Sequence, residues 1–140
     1  MADVHTTEIR SKNMSAIRGK GNKSTEVRFL GYLKENHITG WRRHSRRITG
    51  RPDYAFPSHK VAVFLDGCFW HKCPICFKLP KSQVDFWVNK IDKNVERDLR
   101  IRDGLTNKGW TVFQVWEHQL KNEPAKIIAN LKSLLDLGDV

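Results

Sequence analysis

The architecture of this chain follows from the stretch 60-KVAVFLDGCFWHKCPIC-76, where an apolar run leads into a loop dense in reactive side chains. The run from Lys60 to Leu65 is rich in β-branched residues and predicts a strand buried on both faces of a sheet. The loop from Asp66 to Cys76 holds all three cysteines, two adjacent aromatic residues and a histidine. Because α/β folds tend to place their chemistry where strands end, we expect the functional site in this loop.

Before this stretch the sequence predicts a helix and a short strand. Apolar residues recur at helical spacing from Ser24 to Asn36, through Val27, Leu30 and Leu33. A basic segment follows, and a Gly-Pro turn then precedes a strand around Tyr54 to Phe56.

After the cysteine loop a long helix is predicted from Gln83 to Asn107, followed by a second buried strand from Trp110 to Trp116. Pro124 can open a last helix. The predicted buried stripe of the long helix contains Val84, Val88, Ile91, Val95, Leu99 and Ile101 or Arg102. This order of elements predicts an α/β fold with a mixed sheet covered by helices.

Composition indicates one globular domain with a polyanionic partner. The 140 residues include 25 Lys and Arg against 15 Asp and Glu, a formal net charge of +10. The first 23 residues are polar and basic and suit an arm that lies along a phosphate backbone. No apolar run predicts a membrane span or a secretory signal, so we expect a cytoplasmic protein. In that compartment, clustered cysteines indicate a metal site or catalysis rather than disulfides.

The cysteine spacing predicts a zinc site. Cys68, Cys73 and Cys76 supply three soft ligands, and His118, directly after a predicted strand, is the expected fourth. His71 lies inside the loop but is flanked by an aromatic and a lysine, and we expect it to face elsewhere. The alternative is three reduced thiols that pack as small hydrophobic groups.

A second set of residues predicts metal-assisted phosphodiester hydrolysis. Asp53 stands at the start of a strand, where PD-(D/E)xK nucleases have their first carboxylate. The second strand lacks the remaining acid and lysine of that motif, since Leu65 occupies the expected carboxylate position and Asp66 comes one residue later. His71 is therefore the candidate general base.

A general base of this type needs an acid that fixes its tautomer. The long helix offers Asp92, Glu96 and Asp98. The residue pattern alone leaves the choice open, and for Asp98 it favours a solvated acid on the helix surface.

Five segments of this chain together resemble the very short patch repair (Vsr) endonucleases: RSKNMSAIR, TGRPDYAF, VFLDGCFWHKCP, the block from Phe86 to Asp98 that ends in NVERD, and GWTVFQVWE. The resemblance implies a PD-(D/E)xK-like, restriction-endonuclease-like fold, with a mixed central sheet flanked by helices and a structural zinc site. It also implies an enzyme that nicks DNA on the 5′ side of the thymine in T:G mismatches left by deaminated 5-methylcytosine.

The resemblance assigns the catalytic roles. A catalytic Mg²⁺ is expected on Asp53 and on the backbone carbonyl of Leu65. His71 is the expected general base, Asp98 the acid that orients it, and Glu26 a residue that organises water near the metal.

Two further assignments concern the loop. Asp66 stands where some family members have histidine and is counted with the catalytic residues. The structural Zn²⁺ of the family falls on Cys68, Cys73, Cys76 and His118, the same set that the spacing predicts.

The resemblance also assigns residues that contact DNA. Phe69, Trp70 and Trp87 match aromatic residues that enter the base stack, although core packing is the alternative for Trp87. The phosphate contacts are expected from Arg42, Arg43, Arg46 and Arg47. Residues 1–23 are expected to embrace the DNA, and residues 24–140 to form a single nuclease domain.

The implied partner is double-stranded DNA with a T:G mismatch, bound by a monomer in the bacterial cytoplasm at the nucleoid. A functional link to a cytosine-5 DNA methyltransferase is implied, with general mismatch-repair proteins as further partners. Two alternatives stay open: a non-catalytic zinc-containing module that binds distorted DNA, and a restriction-type nuclease of the same fold.

Overall fold

The computed structural model describes residues 24–137. The predicted basic arm, residues 1–23, lies outside the described residues. In the range that is described, no helix is both long enough and apolar enough to cross a membrane. The elements in chain order are α1 (24–35), β1 (Arg42–Arg43), β2 (Tyr54–Phe56), β3 (Val61–Asp66), α2 (Val84–Asn107), β4 (Thr111–Trp116), α3 (Glu117–Asn122) and α4 (Pro124–Leu134).

The strands form one mixed sheet in the order β1-β2-β3-β4. The strand β2 pairs antiparallel with β1 on one side and with β3 on the other. The strands β3 and β4 pair parallel. A parallel pair requires a long crossover connection, and α2 lies within the one between β3 and β4. The predicted α/β architecture, a mixed sheet with helices, is confirmed.

The strand β3 is buried along its whole length because helices cover both faces of the sheet. Alternate side chains of a strand point to opposite faces. Val61, Val63 and Leu65 belong to the larger core, which also contains residues of α1, α3 and α4. Ala62 and Phe64 belong to a smaller core that includes Leu105 of α2. This two-sided burial explains the continuous apolar run in the sequence.

The last strand, β4, differs from the prediction of a buried strand. Only Val115 is fully buried, and Thr111 and Gln114 are exposed. In the sheet as described, β4 lies at an edge, and one side of it has no neighbouring strand.

The face through which α1 packs matches the predicted one in part: Leu33 is buried and Leu30 packs against the core, as predicted. Val27, which the periodicity assigned to the core, is exposed, whereas Phe29 and Leu33 are fully buried. The four-residue spacing from Phe29 to Leu33 defines the true stripe.

The buried face of α2 matches the predicted one at Ile91 and Ile101 and is rotated from it elsewhere. Val84, Val88 and Leu99 are exposed. The buried residues of the helix are Ile91, Asn94 and Leu105. The prediction failed because the inward face carries polar side chains in its middle, and hydrophobic periodicity cannot detect such a face.

We expect two identical substitutions on α2 to differ strongly in cost. Leu105 is 1% exposed and Leu99 is 59% exposed. Leu105→Ala should lower the free energy of unfolding by about 2–5 kcal/mol, since it leaves a cavity in the core. Leu99→Ala should change it by no more than about 0.5 kcal/mol. Urea unfolding of both variants measures the difference, and equal losses would contradict the observed orientation of α2.

Candidate active site

A cavity of about 570 Å³ lies where the end of β3 faces the middle of α2. Its walls come from the loop before β2, the end of β3, the cysteine loop and α2. The lining residues are His44, Gly50, Arg51, Asp53, Phe64, Leu65, Asp66, His71, Arg97, Asp98, Ile101 and Arg102. All the predicted catalytic residues except Glu26 therefore meet in one cavity.

Asp53 is held against the end of β3. The backbone N–H of Leu65 donates a hydrogen bond of 2.7 Å to Asp53 Oδ2. Burial raises the pKa of Asp53 to about 6 despite this bond, and the charges of Glu26 and Asp66 add to the rise. The charge of the Asp53 carboxylate is therefore costly to bury. The carboxylate lies beside Leu65, whose backbone carbonyl is predicted to bind the same metal ion.

Glu26 reaches the rim of the cavity from the first turn of α1. Its Oε2 accepts hydrogen bonds from Arg43 Nη2 at 3.1 Å and from His44 Nε2 at 2.9 Å. One ligand atom each from Glu26, His44 and Asp53 lie within 4.8 Å of one another. Sequence reasoning missed His44, which reads as one more member of a basic run. Only the pairing of β1 with β2 brings His44 beside Asp53. The backbone N–H of His44 donates a hydrogen bond of 3.2 Å to the backbone carbonyl of Asp53.

His71 and Asp98 form a hydrogen-bonded pair between the cysteine loop and α2, through His71 Nδ1 and Asp98 Oδ2. With Nδ1–H donated to the carboxylate, the lone pair lies on Nε2. Burial raises the pKa of Asp98, but the hydrogen bond and charge of His71, helped by nearby arginines, outweigh it and lower the pKa below its usual value. The choice among three helix acids is thereby decided, since Asp92 pairs with Lys72 instead and Glu96 is exposed.

Asp66 is 2% exposed and fully engaged. Its Oδ1 accepts a hydrogen bond of 2.8 Å from Arg102 Nη2, and its Oδ2 accepts one of 2.7 Å from Gln114 Nε2. The same arginine lies over the ring of Phe64, with its Cζ 4.6 Å from the ring centroid. His71 Nδ1 is 3.8 Å from Asp66 Oδ1. Both partners of Asp66 escaped sequence reasoning, because they lie 36 and 48 residues away along the chain.

The four predicted zinc ligands lie together. One ligand atom each from Cys68, Cys73, Cys76 and His118 are all within 4.8 Å of one another. Parallel pairing of β3 with β4 brings this about, because the cysteine loop and His118 both follow the same end of the sheet. Burial raises the pKa of Cys68 to about 12, so a cation would have to displace its proton. Three thiols and an imidazole fit zinc, whereas packing as small hydrophobic groups does not suit the exposed Cys76.

The predicted wedge residues form one aromatic cluster. Phe69 lies 5.1 Å from Trp70 and 5.4 Å from Trp87, and the two tryptophans are 6.0 Å apart, all between ring centroids. The three residues are half-buried. The buried Asn94 ties the cluster to α2 by donating to the carbonyl of Trp70 at 3.2 Å.

The four arginines expected at phosphates are all exposed: Arg42, Arg43, Arg46 and Arg47. Arg43 is engaged with Glu26 and also lies over the ring of Tyr54, with its Cζ 5.5 Å from the centroid. Among residues 24–137, the other three have no ion-pair partner.

The chain is similar to proteins whose names describe DNA cleavage. A family model described as DNA mismatch endonuclease Vsr matches residues 2–75. DNA mismatch endonuclease Vsr of Escherichia coli is 40% identical over 86% of this chain and 77% of its own length. Type II nicking enzyme V.NaeI of Lentzea aerocolonigenes is 38% identical over 89% of this chain and 78% of its own length. Type II nicking enzyme V.XorIIP of Xanthomonas oryzae pv. oryzae is 37% identical over 97% and 98%.

The resemblance that the motifs indicate is confirmed by these matches, which extend over most of the chain. The family model covers Asp53, the strand β3 and the cysteine loop except Cys76. The chain therefore belongs to the DNA mismatch endonuclease Vsr family.

Proposed function

We propose that this chain is a divalent-metal-dependent endonuclease that nicks one strand of duplex DNA on the 5′ side of the thymine in a T:G mismatch. The observation that carries the proposal is the meeting of Asp53 with the His71–Asp98 pair in one cavity. Cleavage of a phosphodiester needs a site for a cation and a base for water, and these residues supply both.

The balance of charges in the cavity supports a cation at Asp53. Asp66 is paired with Arg102, and Asp98 with His71. Asp53 accepts only a backbone N–H among the described residues. Asp53 and the carbonyl of Leu65 would hold Mg²⁺, which neutralises charge on the phosphate oxygens during hydrolysis. Glu26, at the rim, would orient water beside them.

His71 acts as the general base in this proposal. Its Nε2 accepts a proton from the attacking water, while Nδ1–H stays hydrogen-bonded to Asp98. The carboxylate of Asp98 holds the ring in the productive tautomer and stabilises the imidazolium that forms.

Mismatch selection is proposed to come from the aromatic cluster. Phe69 and Trp70 directly precede His71, so insertion of the rings beside a mismatch would bring the base to the neighbouring phosphate. Unstacking costs a few kcal/mol per step and least at a mismatch, and a T:G step would therefore be entered most readily. A structural Zn²⁺ on the cysteine cluster would hold the loop that presents both rings and base.

The basic surface is proposed to bind phosphates. Arg42, Arg46 and Arg47 are exposed and free of ion pairs within the described residues, and the arm 1–23 would embrace the duplex. Arg43, which pairs with Glu26 in the free protein, would exchange that carboxylate for a phosphate on DNA. Residues 24–140 would form one nuclease domain of PD-(D/E)xK type, acting as a monomer.

The cellular setting follows from the substrate. T:G mismatches arise where a cytosine-5 DNA methyltransferase has acted, so we propose that the chain works with such an enzyme and beside general mismatch-repair proteins. Its proposed place is the cytoplasm, at the nucleoid. A non-catalytic module is disfavoured because it would need no general base with an orienting acid.

The first test compares nicking of T:G, other mismatched and fully paired duplexes by the full-length protein with Mg²⁺. The T:G strand should be nicked at least about 10–100-fold faster than paired DNA, as the unstacking cost requires. Asp98→Asn should slow nicking by about 10³–10⁴-fold, because the imidazole loses its tautomer control. It should leave affinity for the T:G duplex within about threefold.

Asp92→Asn is the matched control on the same helix, since Asp92 pairs with Lys72 outside the cavity. It should nick at close to the normal rate. Equal rates on paired and T:G duplexes would favour a restriction-type nuclease, and equal effects of the two substitutions would exclude the proposed role of Asp98.

Metal binding is expected to weaken as the pH falls through about 6. Burial, with the charges of Glu26 and Asp66, raises the pKa of Asp53 to about 6, so below that pH the carboxyl must lose a proton to bind a cation. Affinity for Mg²⁺ should fall about tenfold per pH unit in that range, measured by calorimetry on zinc-loaded protein. An affinity that holds down to pH 4 would show that Asp53 titrates as an ordinary aspartate.

Removal of zinc should destabilise the cysteine loop and abolish nicking together. The four ligands come from two distant parts of the chain, and the metal would join them. A strong chelator, or Cys68→Ser, should lower both the melting temperature and the nicking rate, and the purified protein should contain about one zinc per chain. A zinc-free protein with an unchanged melting temperature would refute the structural role.

A further inference from the structure

The Glu26–His44–Asp53 cluster has a composition that the predicted magnesium site does not require. Mg²⁺ is bound in proteins through carboxylates, carbonyls and water. Imidazole suits iron, nickel, copper and zinc ions, and manganese and cobalt ions, which belong to the same first-row series, accept it beside oxygen ligands. His44 brings an imidazole nitrogen to the two carboxylates. The cluster is thus a candidate for a different kind of divalent ion.

The distance between two of the three donor atoms fits direct coordination. His44 Nε2 and Glu26 Oε2 are 2.9 Å apart. Two neighbouring ligands at right angles around a metal with bonds of about 2.1 Å are about 3.0 Å apart. The edge between these two donors therefore already has the length of one edge of an octahedral complex.

The Asp53 carboxylate is free to complete the set. Its Oδ2 accepts the Leu65 N–H, and Oδ1 accepts no hydrogen bond from residues 24–137. The carboxylate oxygens of Glu26 and Asp53 lie within 4.8 Å of each other, so the two negative charges repel each other across the site. A cation between them relieves that repulsion.

We infer that His44 is a direct ligand beside Glu26 and Asp53, and that the cavity binds Mn²⁺ or Co²⁺ in preference to Mg²⁺. The inference rests on the proposed function in one respect, that a divalent cation occupies Asp53. It adds the third ligand and the class of metal. Mg²⁺ still binds at Asp53 and the Leu65 carbonyl, with Glu26 orienting its water, but without a contribution from the imidazole.

The competing role for His44 is a plain hydrogen-bond donor to Glu26. Arg43 already donates to the same oxygen, at 3.1 Å. In that role a glutamine at position 44 would serve as well as histidine, because its amide is also a donor. His44→Gln separates the two roles, since glutamine keeps the donor and removes the nitrogen ligand.

The experiment measures metal binding to the full-length, zinc-loaded protein without DNA. Mn²⁺ is followed by electron paramagnetic resonance and Mg²⁺ by competition. In His44→Gln the Kd for Mn²⁺ should rise at least about tenfold, and the Kd for Mg²⁺ by less than about threefold. Pulsed resonance should detect an imidazole nitrogen on bound Mn²⁺ in the unaltered protein and not in the variant.

The matched control is His59→Gln, an exposed histidine in the turn after β2, at the opposite end of that strand from Asp53. It should change neither affinity. An unchanged Mn²⁺ affinity in His44→Gln, equal losses for the two metals, or no nitrogen signal would overturn the inference.

The outcomes also separate this inference from the proposed function. Nicking of T:G duplexes without nitrogen-bound Mn²⁺ would leave the endonuclease and remove His44 as a ligand. Mn²⁺ bound through His44 by a protein that nicks no duplex would leave the metal site and remove the endonuclease.

Discussion

The strand β3, which is buried on both of its faces, constrains the rest of the molecule. The residues of the cavity and of the cysteine cluster are positioned by elements that pair with β3 or pack against it. Antiparallel pairing with β2 brings Asp53 to the Leu65 N–H, and parallel pairing with β4 brings His118 to the cysteine loop. The crossover required by that parallel pair contains α2, whose middle supplies Asp98. A break in β3 would therefore separate Asp53, His71 and the cluster of Cys68, Cys73, Cys76 and His118 at once.

The helix α2 shows how the site competes with stability. A helix that covers a sheet normally turns an apolar stripe inward, but here Asn94, Asp98 and Arg102 occupy that face. Each has a partner: a backbone carbonyl, an imidazole and a buried carboxylate. Buried polar groups are tolerable when paired, and removal of one partner leaves the other costly. Because polar residues occupy the inward face, the apolar side chains of Val84, Val88 and Leu99 are left exposed on the outer face of α2.

The pairing of charges gives the cavity its chemical character. Arginines and histidines neutralise most of the acids. Burial raises the pKa of Asp53 to about 6, and the charges of Glu26 and Asp66 add to the rise. Asp53 has no ion pair with another residue in the range 24–137, so its carboxylate is suited to a cation bound from solution. If a cation binds there, the class of metal that the cavity prefers would depend on the next donor atom, and His44 offers an imidazole nitrogen beside Glu26.

Local patterns in the sequence determined much of this protein. Apolar runs predicted the order of β2, β3, α2, β4 and α4, although not β1 or α3. Close spacing of the cysteines predicted three of the four side chains that cluster with His118. Those features are readable because they depend on neighbours along the chain. The tertiary structure alone decided that Asp98 rather than Asp92 meets His71, that α2 turns a polar face inward, and that His44 lies beside Asp53. These outcomes depend on pairings between residues far apart in sequence, and no local periodicity records which strand register or helix rotation buries the most surface.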